Sequence, residues 1–339
     1  MTKFHGWRWL LLPLIAAMML IVTACGKSTS GTASLTTIKI GYMENANSVG
    51  LAAIADQAGY FKKQGFKVKL VAFADGPSIL AAMKAGSIDV GNIGSGAHTA
   101  LAQGAAQVIL TDGVSTADEL IGNKAKGVSS MADLKGKKVA VVAGTTSEMI
   151  FEAALKKAGM SKSDVTVVNM SANNIAGAMA AGKVDAAATW SPSTTTIKDK
   201  LGDDAVTLAS DSDFASTMPF ISSWVVTAKY EKAHPAQVVK ITKALMAAND
   251  ARKASLSKVA PYIAKQLAIT TKQALAQMKG METLYSSKQL SQMASSGALA
   301  KLYNAQQTNF INVGTLKDTG DLETAADYLL TDVIEKAAA

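Results

Sequence analysis

The sequence predicts an α/β fold of two lobes, with mixed sheets, helices on both sheet faces and a cleft between the lobes. Three observations predict it. Strand-like and helix-like segments alternate in two series, one opening at Thr37 and the other near Lys138. Two stretches a constant distance apart read alike, Ile79–Asp89 (ILAAMKAGSID) and Ile175–Asp185 (IAGAMAAGKVD), each a helix closed by glycine and followed by a strand. Beyond Pro235 almost every segment has helical spacing, which is material to pack around one lobe.

The elements follow in order. Thr37–Met43 is a short β-rich run. Ser48–Gln64 is helical, with Leu51, Ile54, Ala55 and Ala58 on one face. Lys67–Phe73 alternates charged and apolar residues, as a strand does. Gly76–Ala85 reads as a helix, Asp89–Ile93 as a strand, Ala97–Gln103 as a helix and Val108–Leu110 as a strand. In the second series, Lys138–Val142, Val165–Asn169 and Asp185–Thr189 are strands. Thr146–Ala158, Asn174–Ala181 and Ser191–Lys200 are helices. Ile221–Tyr230 is strand-like. Pro235–Leu256, Lys258–Gln266, Thr271–Met278, Ser287–Leu302 and Leu322–Ala338 are helical. This pattern assigns residues 37–112 and 220–339 to the first lobe and 121–211 to the second. The crossovers between them fall at 112–120 and 211–219.

Composition excludes several classes. Of 339 residues, 49% are hydrophobic and 18% charged, which is neither a disordered nor a low-complexity chain. One cysteine excludes a disulfide framework and any multi-cysteine metal site. His5, His98 and His234 are the only histidines, so no metal centre is expected. The net charge is +8, but the lysines are scattered, with Lys62-Lys63 and Lys137-Lys138 the tightest pairs. Aromatics make up 6%. Neither feature suits a nucleic-acid partner.

The N-terminus carries an address. Lys3 and Arg8 form a positive segment, and Trp9–Val22 is uncharged and mostly apolar. That stretch is shorter than the roughly 20 residues a membrane span needs, and it fits the core of a signal peptide over residues 1–24. Val22-Thr23-Ala24-Cys25 resembles the bacterial lipoprotein signal, in which the cysteine is lipidated and becomes the new N-terminus. Cys25 is then the lipidation site, and the Ser/Thr/Gly-rich residues up to Thr36 a flexible tether.

Several ordered segments carry a family resemblance: Ile38-Lys39-Ile40-Gly41-Tyr42; Ala58-Gly59-Tyr60-Phe61-Lys62-Lys63-Gln64-Gly65-Phe66; Ala85-Gly86-Ser87-Ile88-Asp89-Val90-Gly91; Ala132-Asp133-Leu134-Lys135-Gly136-Lys137-Lys138-Val139-Ala140; Gly144-Thr145-Thr146-Ser147; and Gly182-Lys183-Val184-Asp185-Ala186-Ala187 with Trp190-Ser191-Pro192. Over about Thr37 to Lys240 the chain resembles the solute-binding proteins of bacterial ABC importers, in the taurine, aliphatic-sulfonate and nitrate branch. The resemblance implies a type II-like periplasmic-binding-protein fold. It implies a small-molecule solute, a permease with its ATPase as partners, a monomer, no cofactor, and a place on the outer face of the cell membrane through the Cys25 lipid. Where the family often has a histidine after the Thr/Ser loop, this chain has Glu148, and Glu44 stands in the first loop. Two acids there point away from a purely anionic ligand such as nitrate.

Ligands of open α/β folds bind beyond the carboxyl ends of the strands, so the strand-to-helix loops supply the candidates. They are Glu44, Asn45 and Asn47 in the first; Ser95, Gly96, Ala97 and His98 in the second; Thr145, Thr146, Ser147 and Glu148 in the third; and Trp190 and Ser191 in the fourth. Phe214 is added from the second crossover. Thr145–Ser147 before a helix reads either as a seat for a sulfonate or carboxylate or as simple N-capping. Glu44 and Glu148 read as acceptors for an ammonium or as ordinary loop and first-turn acids. Trp190 reads as a pocket wall or a buried structural residue. The expected function is capture of a sulfonate- or taurine-like solute by lobe closure, without catalysis. The alternatives are the same role for a thiamine pyrimidine precursor or another amine-bearing solute, and a surface lipoprotein with no transport role.

Overall fold

The structure, a computed structural model, describes residues 34–215 and 217–339. The signal segment, Cys25 and the tether up to residue 33 lie outside the described residues. Among those described, no helix is long and apolar enough to cross a membrane.

The chain opens with β1 (Thr36–Met43), α1 (Ala46–Gln57), α2 (Tyr60–Lys63), β2 (Phe66–Phe73), α3 (Gly76–Lys84), β3 (Val90–Ile93) and β4 (Gln107–Ser115). It continues through β5 (Glu119–Asn123), β6 (Lys138–Val141), α4 (Thr146–Lys157), β7 (Thr166–Asn169), α5 (Ala172–Ala180), β8 (Ala186–Thr189), α6 (Ser193–Leu201) and β9 (Ala205–Ser210). It then returns with β10 (Ile221–Val226) and a helical tail: α7 (Ala228–Ala233), α8 (Pro235–Ala254), α9 (Leu256–Leu267) and α10 (Thr271–Met278). After the two-residue β11 (Glu282–Thr283) come α11 (Ser287–Ser295), α12 (Ala298–Val313), α13 (Ala325–Tyr328) and α14 (Thr331–Ala338).

Two mixed sheets result. One has the order β11-β4-β10-β3-β1-β2, the other β7-β6-β8-β5-β9. In each, a first strand lies between two parallel neighbours: β1 between β2 and β3, β6 between β7 and β8. In each, one further strand enters antiparallel after the chain has crossed from the other sheet. That strand is β10, between β3 and β4, in one sheet and β5, between β8 and β9, in the other.

The two similar stretches make the same bonds. The Lys39 N–H donates to Asp89 Oδ2 at 2.8 Å, and the Lys138 N–H to Asp185 Oδ2 at 2.9 Å. Each aspartate therefore holds the first strand of its sheet through a backbone N–H that pairing alone leaves free. The serine hydroxyl in the first turn of the following helix does related work. Ser48 Oγ accepts the Met43 N–H at 2.9 Å, and Ser147 Oγ accepts the Val142 N–H at 3.0 Å.

Alternation along β6 divides the second core. Val139 and Val141 face Phe151 and Leu155 of α4, whereas Ala140 faces Ile175 and Met179 of α5. The first sheet packs on α1, α8 and the tail helices around Leu51, Ile54, Trp224, Ile241 and Tyr303. Helix α12 reaches both cores, with Tyr303 in the first and Phe310 in the second.

Several expected elements differ. Residues 97–103 form a 3₁₀ turn over Ser95–Ala100 rather than a helix, and the β4 strand runs on to Ser115. The expected Ser48–Gln64 helix stops at Gln57 and restarts at Tyr60. The expected helix Ser287–Leu302 is two, because Gly297 adopts φ 75°, which only glycine enters cheaply. The expected Leu322–Ala338 helix is likewise two short ones. The strand-like stretch from Ile221 ends at Val226, and Ala228–Ala233 is helical. Strands β5, β9 and β11 have no counterpart in the sequence reading.

Candidate functional site

A cavity opens where the loops of the two sheets meet. Its volume is about 60 Å³, counted as space for the centre of a water molecule. One water needs roughly 10–15 Å³ on that measure, so the cavity suits a solute of a few heavy atoms. The walls meet closely around it: a methyl group on Gly144 would lie 3.3 Å from Pro77 Cγ, and one on Gly94 3.2 Å from Thr146 Oγ1.

Three helix N-termini contribute to the lining. Helix α1 presents Asn45, Asn47 and Ser48, α3 presents Gly76, and α4 presents Thr145 and Thr146. The caps explain why the chain turns here. Asn45 Oδ1 accepts the Ser48 N–H at 2.9 Å, and Thr145 Oγ1 accepts the Ser147 N–H at 3.2 Å while donating to Val142 O at 2.7 Å. The Thr146 N–H and hydroxyl carry no hydrogen bond to the described residues. Free first-turn N–H groups and the positive ends of the helix dipoles make this part of the wall a seat for an anion.

The opposite character comes from two acids. Asp118, from the crossover after β4, and Glu282, on β11, are the only ionisable residues in the lining. No lysine, arginine or histidine lines the cavity among the described residues. Burial, and next the Asp211 carboxylate, push Asp118 well above the usual carboxylate range, against the Ser115 and Thr146 hydroxyls. Ser115 Oγ donates to Asp118 Oδ2 at 2.6 Å, and the Asp118 N–H donates to Asp211 Oδ2 at 3.2 Å. Burial raises Glu282 to about 7, opposed by Arg252, whose Nη1 lies 3.3 Å from Glu282 Oε2. Arg252 itself is buried against Asp112, Nη2 to Oδ1 at 2.6 Å, and Asn92 Nδ2 donates to the other Asp112 oxygen at 2.8 Å. Ser191 Oγ and Asp118 Oδ1 are buried without a partner among the described residues. Trp190 and Phe220 supply apolar wall, and Trp190 is half-buried.

Of the residues expected from sequence, Asn45, Asn47, Ser95, Ala97, Thr145, Thr146, Trp190 and Ser191 lie together in this lining. Six do not. Glu44 is exposed. Gly96 packs against the Thr145 backbone. His98 turns inward: Gln306 spends its amide N–H on Pro219 O, so its Oε1 accepts from His98 Nδ1 at 2.7 Å. Burial lowers His98 to about 4, and its ring stacks on Tyr303. Ser147 is fully buried, donating to Ala188 O at 2.6 Å. Glu148 accepts the Gly144 N–H at 2.8 Å and pairs with Lys162 at 3.1 Å. Phe214 sits in the core of the second sheet, under Lys157 Nζ. Sequence reasoning missed Asp118, Ser115, Asn92, Ser222 and Glu282. The one available signal was that Ser115 and Asp118 fall on the expected 112–120 crossover.

The comparisons with known proteins agree with this architecture. The family described as NMT1/THI5 like matches residues 45–254. A putative binding protein of Brucella abortus (strain 2308) is 31% identical over 295 residues, 87% of this chain and 90% of that protein. The taurine-binding periplasmic protein of Escherichia coli (strain K12) is 30% identical over 207 residues, 60% of this chain and 62% of its own. Among solved structures, the alkanesulfonate-binding protein SsuA from Xanthomonas axonopodis pv. citri, bound to MOPS, superposes with a TM-score of 0.64 at 23% identity. It covers 88% of this chain and 99% of its own. The fold is that of the periplasmic binding proteins.

Proposed function

The chain belongs to the NMT1/THI5-like family, and we propose that it is the solute-binding component of an ABC importer, taking a small sulfonate of the taurine type. The observation that carries this reading is the free first turn of α4, Thr145 and Thr146, opening on a cavity between the two sheets together with the first turns of α1 and α3. A sulfonate brings three acceptor oxygens and one negative charge, which match N–H donors at helix starts. The other end of the solute lies against Trp190 and Phe220. The two lobes close on it around the crossovers, water is excluded, and a membrane permease with its ATPase reads the closed form.

No covalent step is involved. Affinity comes from burying the solute against donors already in place. The relatives named for their function are binding proteins. The protein works outside the cytoplasm as a monomer, tethered through lipid on Cys25 and the linker up to Thr36.

Isothermal titration of the purified protein with taurine, ethanesulfonate, nitrate and an amino acid tests the reading. A sulfonate should bind, and at 100 times Kd it should stabilise the fold by about 2.7 kcal/mol. Binding of nitrate or the amino acid with no sulfonate response would overturn the assignment.

A further inference from the structure

The cavity holds an acid that nothing in the protein neutralises. Asp118 is 2% exposed and lines the wall, and its Oδ1 has no partner among the described residues. Its neighbour Asp211 is also buried, also with an unpartnered Oδ1. The two are tied backbone to backbone. The Asp211 N–H donates to Asp118 O at 3.1 Å, and the Asp118 N–H returns a bond to Asp211 Oδ2 at 3.2 Å. Asp118 precedes β5 and Asp211 follows β9, so the pair joins the two segments by which the chain crosses between the sheets. The one buried guanidinium nearby, Arg252, is committed to Asp112 and Glu282. Buried carboxylates without a counter-charge are costly, and proteins keep them where a ligand supplies the missing cation.

We propose that Asp118 is the ammonium-recognising group of the cleft, so that the site selects an aminosulfonate zwitterion over the same sulfonate without an amine. The inference rests on the preceding reading of the cleft as a sulfonate seat, and names the second half of the solute. An ammonium has three donors and no acceptor. Asp118 Oδ1 and Ser191 Oγ, both buried and unpartnered in the lining, offer it acceptors, and Glu282 adds negative charge from β11. The helix starts at Thr145–Thr146 and Asn45–Asn47 repel a cation and attract the sulfonate, so the two poles fix the direction in which the solute lies. Ser115 is a positioning residue: its hydroxyl occupies Asp118 Oδ2 and leaves Oδ1 for the ligand. Because Asp118 sits on a crossing segment, the amine is bound at the place about which the lobes move.

The experiment compares taurine with isethionate, which carries a hydroxyl in place of the amine, and with ethanolamine, which lacks the sulfonate. Wild type and Asp118→Asn are titrated calorimetrically, and their melting is followed to confirm that both are folded. The wild type should prefer taurine to isethionate by about 30-fold or more, the worth of a buried charged hydrogen bond. In D118N the preference should fall below about threefold through loss of taurine affinity, with isethionate unchanged. Equal binding of taurine and isethionate by the wild type, or an undiminished preference in D118N, overturns the ammonium assignment and leaves the sulfonate receptor standing. Binding of ethanolamine that D118N abolishes, with no response to either sulfonate, overturns the sulfonate reading and keeps the ammonium pole. If D118N melts far below the wild type, Ser115→Ala replaces it and should weaken taurine more than isethionate.

Discussion

Gly96 and Thr145 meet backbone to backbone: a methyl group built on Gly96 would lie 2.0 Å from the Thr145 carbonyl carbon. Gly96 belongs to the 3₁₀ turn after β3 and Thr145 caps α4, so this contact joins the two sheets beside the cavity. Backbone on both sides leaves no side chain to swing away. Gly96→Ala should therefore cost ~1–3 kcal/mol of stability and weaken ligand binding by shifting the α4 cap. Gly177→Ala is the control. A methyl there meets nothing within 4 Å on helix α5, and the change should stabilise by about 0.5–1 kcal/mol. Thermal unfolding and titration of the two variants check the contrast.

Arg252 and Asp112 form a buried pair, each at most 2% exposed, with Glu282 on the other side of the guanidinium. Replacing Arg252 by methionine leaves two acids without their counter-charge. Loss of one partner of a buried pair costs about 3–5 kcal/mol. Adding Asp112→Asn to Arg252→Met should recover part of that loss, since the stranded charge is gone. Urea unfolding of the single and double variants measures both values. A single variant within about 1 kcal/mol of the wild type would show that the pair does not hold β4 to α8.

What was legible in the sequence was local. The Asn45 and Thr145 caps, the glycine-closed helices before Asp89 and Asp185, and the alternation of β6 all depend on neighbours within a few residues. Those features placed the loops that line the cavity. What was not legible depends on distant partners. Asp118 looks like an ordinary linker acid until Asp211 is set beside it. Glu282 lies on a two-residue strand and owes its place to β4 and Arg252. His98 stands in the expected loop, but Gln306 on α12 draws its ring away from the cavity. Glu148 is held by the Gly144 N–H and Lys162, which satisfy its carboxylate before any ligand could.

Glu282 should make stability fall with rising pH. Its ordinary value of 4.5 is raised to about 7 in the folded protein, chiefly by burial. A raised folded value means that folding favours the protonated form. The contribution is therefore fully present below about 4.5 and lost as pH rises through about 7, on the order of 3 kcal/mol in all. His98 acts in the other direction. Lowered from 6.5 to about 4, it contributes stability above 6.5 that is lost as pH falls. The difference between wild type and Glu282→Gln isolates the first effect. Urea unfolding at pH 5 and pH 8 should show the wild type losing more stability than E282Q over that interval, and parallel losses would refute the assignment.

Ser147 and Thr146 are adjacent in the first turn of α4 and should separate cleanly by experiment. Ser147 is fully buried; its hydroxyl accepts the Val142 N–H and donates to Ala188 O, joining β6 and β8 to the helix start. Ser147→Ala strands a buried donor and acceptor, which costs ~1–3 kcal/mol. Thr146 lines the cavity, and its hydroxyl has no hydrogen-bond partner among the described residues. Thr146→Val preserves shape and removes one donor to the solute. It should weaken sulfonate binding by about tenfold, the worth of one hydrogen bond to a charged group, while stability stays within about 0.5 kcal/mol. If Thr146→Val binds a sulfonate as the wild type does while Ser147→Ala only melts earlier, α4 is a scaffold for the cleft, and the anion sits instead on the Asn45–Asn47 start of α1.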